Sequence, residues 1–195
     1  MYVINDIISM PFPSLWECNA NADFKGLFYR KMRLFIAIKL NSEIRNTLTA
    51  AQQRLIRRGI RGNYTGTDNL HVTLAFIGEY DNPDFITEVL SEVSFSPFTI
   101  SLSGLGHFGN LWWIGLDDNA ELLSYVNRLR KALSEAGIPF DKKKFSPHIT
   151  LIRKAVGALP LVSIPKVQMK VEHISLMRSE RGTNGMIYTE IGRNR

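Results

Sequence analysis

The residues His71-Val72-Thr73-Leu74 return later in the chain as His148-Ile149-Thr150-Leu151, and what precedes them returns as well. An apolar run beginning at Leu34 (LFIAI) leads into a stretch of helical period, and His71 lies 37 residues after Leu34. A second run beginning at Leu111 (LWWIGL) leads into another helical stretch, and His148 lies 37 residues after Leu111. Two strand–helix–strand units thus match in order and spacing at an offset of 77 residues. That period is too long for a solenoid and reads as one duplication making two lobes. Equivalent strands are then expected to meet about a pseudo-two-fold axis, with the two His-x-Thr segments facing across a shared cleft.

Chance does not account for the repeat. The chain has 4 His, and at ordinary composition a His-apolar-Thr-apolar run is expected ~0.04 times. In a strand, residues i and i+2 share a face. His71 and Thr73 therefore point one way while Val72 and Leu74 point into the core, and His148 and Thr150 do the same against Ile149 and Leu151. Two imidazoles of ordinary pKa near ~6.5 suit concerted acid–base work around neutrality. Two hydroxyls can donate to the non-bridging oxygens of a phosphoryl group held between them. A metal site is disfavoured, because neither segment carries the Asp, Glu or Cys that would complete a ligand set, and Asp68 and Glu79 lie at least three positions from His71.

The remaining periodicity lays out the fold. Arg33–Leu40 reads as a strand buried on both faces. Ser42 is placed to cap a helix whose stripe Ile44, Leu48, Ala51, Leu55 and Ile56 ends at Gly59. Leu70–Gly78 is expected as a strand, and Asn82-Pro83 as the start of a helix running to about Val93. Phe98–Leu105 and Leu111–Leu116 read as strands, and Asn119–Ala136 as an amphipathic helix stopped by Gly137. Pro147–Ile152 is a further strand. Val167–Arg178 and Met186–Ile191 are expected to form a terminal pair around the Gly182–Gly185 turn. Residues 1–31 sustain no period of 2 or 3.6, so the folded domain is expected over 32–195, with 1–31 an appendage outside it. The fold class expected is α+β and bilobal: lobes 33–78 and 110–152, each an antiparallel-rich sheet with helices outside, and a cleft between them.

Composition narrows the class further. With 195 residues and 45% of them hydrophobic, the chain buries roughly two-thirds or more of its unfolded surface without staples. Cys18 is the single cysteine, which excludes an internal disulfide framework and a thiolate zinc site. No apolar run approaches the roughly 20 residues of a membrane span, and MYVINDIISM is a poor signal peptide. A cytoplasmic monomer is expected, with no membrane partner. Net charge is +6, from 24 Lys+Arg against 18 Asp+Glu, and favours anionic partners.

The segments Asn69–Glu79 (NLHVTLAFIGE) and Phe145–Arg153 (FSPHITLIR) resemble the two signature segments of the 2H phosphoesterases. More narrowly they resemble the RNA 2′,3′-cyclic phosphodiesterase branch, also described as 2′-5′ RNA ligases, and Met32–Ile38 (MRLFIAI) is similar to that branch's opening strand. The resemblance covers about residues 32–191. It implies metal- and cofactor-independent hydrolysis of RNA 2′,3′-cyclic phosphate ends to 2′-phosphates, with reverse 2′-5′ ligation at the same site. It implies His71 as proton donor to the leaving 3′ oxygen and His148 as the base that activates water. Thr73 and Thr150 would hold phosphate oxygens, and Arg153 would add a charge-assisted contact. The partners implied are single-stranded RNA 3′ ends, tRNA fragments among them.

Other readings stay open on the sequence. The same site could serve a small cyclic phosphate, such as a nucleoside or ADP-ribose cyclic phosphate, or the cleft could grip an RNA end without turnover. Trp112 and Trp113 must face opposite sides of their strand, so one is core and the other, like Phe108, is free to stack a base. Lys142-Lys143-Lys144 is either a solvated run or a contact to the RNA backbone. His107 and His173 lack a threonine two residues on and both read as structural or surface, with a loop role near the cleft the alternative for His107, beside Gly106 and Gly109. Arg178, Arg181 and Tyr188 belong to the terminal hairpin, whose distance from the cleft the sequence leaves undetermined.

Overall fold

In the computed structural model, which describes residues 31–183 and 185–194, the apolar run Leu34–Ile38 forms the centre of a first strand, β1 (Met32–Lys39), with all five residues at most 3% exposed. Burial on both faces is what a continuous apolar run requires. There follow α1 (Ser42–Arg57), β2 (Arg61–Tyr64), a single 3₁₀ turn at Thr67–Asn69, β3 (His71–Tyr80) and α2 (Pro83–Glu92). Then come β4 (Phe98–Phe108), β5 (Leu111–Leu116), α3 (Ala120–Glu135), β6 (His148–Val156), β7 (Gln168–Val171), β8 (Ser175–Gly182) and β9 (Gly185–Arg193). The appendage expected at 1–31 lies, Lys31 apart, outside the described residues.

The strands are antiparallel throughout and run in the order β7-β4-β5-β6-β3-β1-β8-β9, with β2 paired to β6. The α+β, two-lobed expectation holds, but the lobes are halves of one sheet rather than separate sheets. Lobe 1 (β3-β1-β8-β9) and lobe 2 (β7-β4-β5-β6) meet through their central strands at one backbone pair, Val72 with Ile149, while β2, from the first repeat, adds its own pairing to β6. Val72 and Ile149 are 77 apart, so the pseudo-two-fold axis of the duplication passes through their contact. In the outer strands the equivalence slips by one: β1 sets Lys39 beside His71, whereas β5 sets Gly115 beside His148.

Away from that pair the central strands splay, and each lobe fills the gap with equivalent bonds. The Leu151 carbonyl accepts from the Thr65 amide at 2.8 Å and from the Gln52 side chain at 3.1 Å. Its counterpart, the Leu74 carbonyl, accepts from the Arg130 guanidinium at 3.2 and 3.3 Å, and the Asp141 amide donates to the Phe76 carbonyl at 2.9 Å. Gln52 lies on α1 and Arg130 on α3, so each crossover helix pins a strand belonging to the opposite lobe. Buried polar backbone must be paired, and here that pairing holds the lobes together.

The helices cover one face of the sheet. Ile44, Leu48 and Leu55 of α1, Ile86 and Leu90 of α2, and Leu122, Val126, Leu129 and Leu133 of α3 share a core with Leu34, Ile36, Ile38, Val72, Leu74, Ile149 and Leu151. Each helix begins at an asparagine whose Oδ1 accepts from the third backbone amide: Asn41 from Ile44 at 2.9 Å, Asn82 from Phe85 at 3.1 Å, Asn119 from Leu122 at 2.7 Å. Ser42 is therefore the first helical residue and not the cap expected, because Asn41 holds the extended conformation from which a side chain reaches that amide.

Two further differences from expectation have physical causes. Val167–Arg178 is not one strand: β7 pairs with β4 and β8 with β1, so the chain crosses between lobes at Glu172–Ile174. The four residues of β2 (RGNY) are polar and mostly exposed, with no alternation to announce a strand. His107, read as structural or surface, is an exposed residue of β4 beside Trp112.

Candidate active site

The pleat sends alternate side chains of β3 and β6 to the face the helices leave open, the front. Val72, Leu74, Ile149 and Leu151 are each 0% exposed on the helix side. His71, Thr73, His148 and Thr150 are half-buried on the front. Antiparallel strands registered at Val72 and Ile149 bring His71 to the side of Thr150 and Thr73 to the side of His148. The placement of each imidazole beside the other strand's hydroxyl is a consequence of that single contact.

Each imidazole is oriented by the carbonyl two residues before it. His71 Nδ1 lies 2.6 Å from the Asn69 carbonyl oxygen and His148 Nδ1 lies 2.7 Å from that of Ser146. A carbonyl only accepts, so both Nδ1 atoms carry hydrogen and both Nε2 atoms are left for chemistry. The Thr73 hydroxyl lies 3.0 Å from His71 Nε2 and donates to it when the ring is neutral. Asn69 is itself held in place, its Nδ2 donating to the Met186 carbonyl at 2.6 Å. Since β9 is three strands from β3, that bond means lobe 1 curls over its own front face.

Their surroundings differ. His71 has Phe35 at 4.9 Å and Tyr188 edge-on at 5.3 Å, with Phe35 only 3% exposed. Burial lowers the His71 pKa below the usual imidazole value, and the nearby charges of Arg153 and His148 add to that, while the bond to the Asn69 carbonyl opposes it. His148 lies beside Phe108 at 5.4 Å and Trp113 at 6.1 Å, and Phe108 is 48% exposed. Of the tryptophan pair, Trp112 is core at 3% exposed and Trp113 lies on the front. Glycine at 106 provides the seat for Trp113, because a Cβ there would collide with the indole.

Arg153 reaches the front through a bulge. Simple alternation would send it, three positions from Thr150, to the helix side. Instead the pairing slips between Trp112 with Ile152 and Trp113 with Thr150, so Leu151 and Ile152 both turn inward at 0% exposed and Arg153 returns to the front. Lobe 1 repeats the device: Leu74 and Ala75 both turn inward and Phe76 comes forward. Phe76 and Arg153 are 77 apart, so the equivalent position is aromatic in one lobe and cationic in the other.

A cavity of about 1240 Å³ opens over lobe 1 and is lined by His71, Thr73, Arg153, Phe35, Phe76 and Tyr188, with Arg33 and Arg181 farther along. Sequence reasoning missed Arg33, Phe35, Phe76 and Asn69. For Phe35 and Phe76 the signal was masked by their place in apolar runs, and for Arg33 by its place at a strand start. The terminal hairpin does reach the cleft, through Tyr188 and Arg181. Lys142–Lys144 are exposed and line no part of this cavity, and Lys143 pairs with Asp141 at 3.1 Å. His107 is exposed on β4, and His173 lies where the chain crosses between lobes. Among the described residues no three His, Cys, Asp or Glu side chains gather as a metal-ligand set, and no helix is long and apolar enough to cross a membrane.

The chain is similar to several known proteins. A protein of Thermus thermophilus named RNA 2′,3′-cyclic phosphodiesterase is 33% identical over 178 residues, covering 81% of this chain and 87% of the relative. One of the same name from Thermotoga maritima is 28% identical over 173 residues, covering 80% and 91%. The apo crystal structure of E. coli LigT superposes with a TM-score of 0.72 at 28% identity, covering 84% of this chain and 96% of LigT, and LigT has also been crystallised with 3′-AMP. The family model described as the 2′-5′ RNA ligase superfamily matches residues 40–183. Since that match takes in both His-x-Thr strands and well over half of the sequence, the chain belongs to the 2′-5′ RNA ligase superfamily.

Proposed function

We propose that this chain hydrolyses the 2′,3′-cyclic phosphate at an RNA 3′ end to a 2′-phosphomonoester, with reversible 2′-5′ ligation, in which a 5′-hydroxyl replaces water, at the same site. The observation that carries the reading is the pair of imidazoles, each clamped through Nδ1 to a backbone carbonyl and each presenting Nε2 to the front of the sheet. Binding a phosphate needs no such pair; passing a proton in and another out does. The names of the relatives support the RNA end over a small cyclic phosphate.

In the mechanism, His148 Nε2 takes a proton from water as the water oxygen attacks phosphorus. The bond from phosphorus to the 3′ oxygen breaks, and His71 Nε2–H gives its proton to that oxygen. Thr73 and Thr150 donate to the non-bridging oxygens, and Arg153 stabilises the charge that builds on them. Burial and Arg153 disfavour the protonated His71 this requires; the anionic substrate lying against the ring offsets both. In ligation a 5′-hydroxyl takes the place of water, with His148 again the base and His71 again the donor to the 3′ oxygen; the two imidazoles exchange roles when that 2′-5′ linkage is cleaved back to the cyclic phosphate. The unit so read is residues 32–195, acting as a cytoplasmic monomer on single-stranded ends such as those of tRNA fragments. Its net charge of +6 and its single cysteine are in keeping with that setting.

The test is a short RNA ending in a 2′,3′-cyclic phosphate, incubated with the protein in excess EDTA. A 2′-phosphate product is expected. A 3′-phosphate would reverse the assignment of His71 and His148, and no turnover would leave a binding module.

A further inference from the structure

We infer that the cavity over lobe 1 seats the RNA chain on the 5′ side of the reacting nucleotide, with Arg33 and Arg181 holding its phosphates. The enzyme would then prefer an oligonucleotide end to a mononucleoside 2′,3′-cyclic phosphate. This rests on the role assignment above. In an in-line displacement the attacking and leaving oxygens lie on opposite sides of phosphorus. If water comes from the His148 side, the 3′ oxygen, its ribose and everything 5′ of that ribose lie on the His71 side, over lobe 1.

The space and its chemistry are found on that side. The cavity, at about 1240 Å³, exceeds the roughly 300–1,000 Å³ of a small-molecule pocket, so one nucleotide leaves part of it unfilled. Arg33 pairs across β1 and β8 with Ser179, and Arg181 is two residues further along β8, so both arginines share the front face. Among the described residues neither Arg33 nor Arg181 is in a salt bridge, whereas Arg178 is paired with Glu180 at 2.9 Å. The Arg33 guanidinium lies over the Phe76 ring at 4.9 Å, which fixes its plane and leaves its N–H edge free for a phosphate oxygen. Phe76 and Tyr188 supply aromatic surface among these cations, the combination that holds single-stranded nucleic acid. Lobe 2 offers His148 the more open aromatic surface of Phe108, an approach suited to water.

The experiment compares kcat/KM for adenosine 2′,3′-cyclic phosphate with that for a tetranucleotide ending in the same group. The wild-type protein is expected to favour the tetranucleotide by about tenfold or more, as expected of charge-assisted hydrogen bonds to phosphate. In Arg33→Ala and Arg181→Ala the ratio is expected to fall severalfold. The slope of log kcat/KM against log salt for the tetranucleotide should flatten by about 0.7 for each phosphate that is no longer neutralised. Arg33→Lys should retain part of the preference. Arg57→Ala, an exposed charge removed from α1 on the helix side, should leave the ratio as it is. A wild-type ratio near one, or a ratio that neither arginine variant changes, overturns the inference while leaving the hydrolase reading intact. No hydrolysis of either substrate overturns both.

Discussion

His71 and His148 share a backbone position but not an environment. Each stands two residues after the carbonyl that orients it and two before a threonine, on strands that meet at Val72 and Ile149. His71 is enclosed by Phe35 and Tyr188 with Arg153 close by, and its pKa is pushed down by burial first and charge second. His148 lies on a more open surface beside Phe108 and Trp113. The same contrast separates Phe76 from Arg153, which the same bulge brings forward in each lobe. Duplication supplied the geometry twice; substitution around it left one imidazole enclosed and the other on an open surface.

The most severe way to break the comparison is to remove each imidazole in turn. His71→Ala and His148→Ala should each lower kcat by about 10²–10⁴-fold in single-turnover assays, with both proteins melting cooperatively. If either variant kept nearly full rate, proton transfer would be the work of one lobe alone. Exchanging the non-equivalent pair is the next step down. Arg153→Met should reduce kcat/KM by about 10–100-fold, the worth of a hydrogen bond to a charged group, while Phe76→Met should cost only a fewfold.

Arg153 also tests the sign of the electrostatics. In its proposed role as the acid, His71 must be protonated, so activity is expected to be lost as pH rises through its pKa. With that pKa lowered, the basic limb of kcat/KM should fall below the pH at which an unperturbed imidazole titrates. Removing the Arg153 charge takes away one lowering cause, so in Arg153→Met the limb should move to higher pH. A move to lower pH would show that the limb belongs to another group.

The smallest effect concerns the helices. Asn41→Ala and Asn119→Ala each delete a cap worth about 1 kcal/mol in urea unfolding. The second should cost more, because Asn119 Nδ2 also donates to the Thr99 carbonyl at 2.6 Å. Equal costs would mean that this extra bond contributes nothing measurable.

Much of this was legible in one dimension because duplication and pleat are themselves one-dimensional. The offset of 77 foretold the pseudo-two-fold axis. Alternation in HVTL and HITL foretold which side chains face the cleft, since a strand's period of 2 leaves no freedom. The bulges were not legible: Leu74-Ala75 and Leu151-Ile152 read as ordinary apolar strand, and only the pairing with β1 and β5 turns both members inward. Counting alone would therefore have sent Arg153 to the wrong face, and placing it at the site came from resemblance rather than period.

The sequence by itself determined the two lobes, the four His and Thr side chains of the site and the three helices, because these depend on contacts between near neighbours in the chain. Tertiary structure alone decided that the lobes form one sheet, that β7 and β8 part company, and that β9 curls back to Asn69. It also decided that Arg33 and Arg181 join the cleft and that His71 is the more enclosed imidazole. Those outcomes depend on strands distant in sequence pairing in one register, and on the burial and charge that the pairing creates.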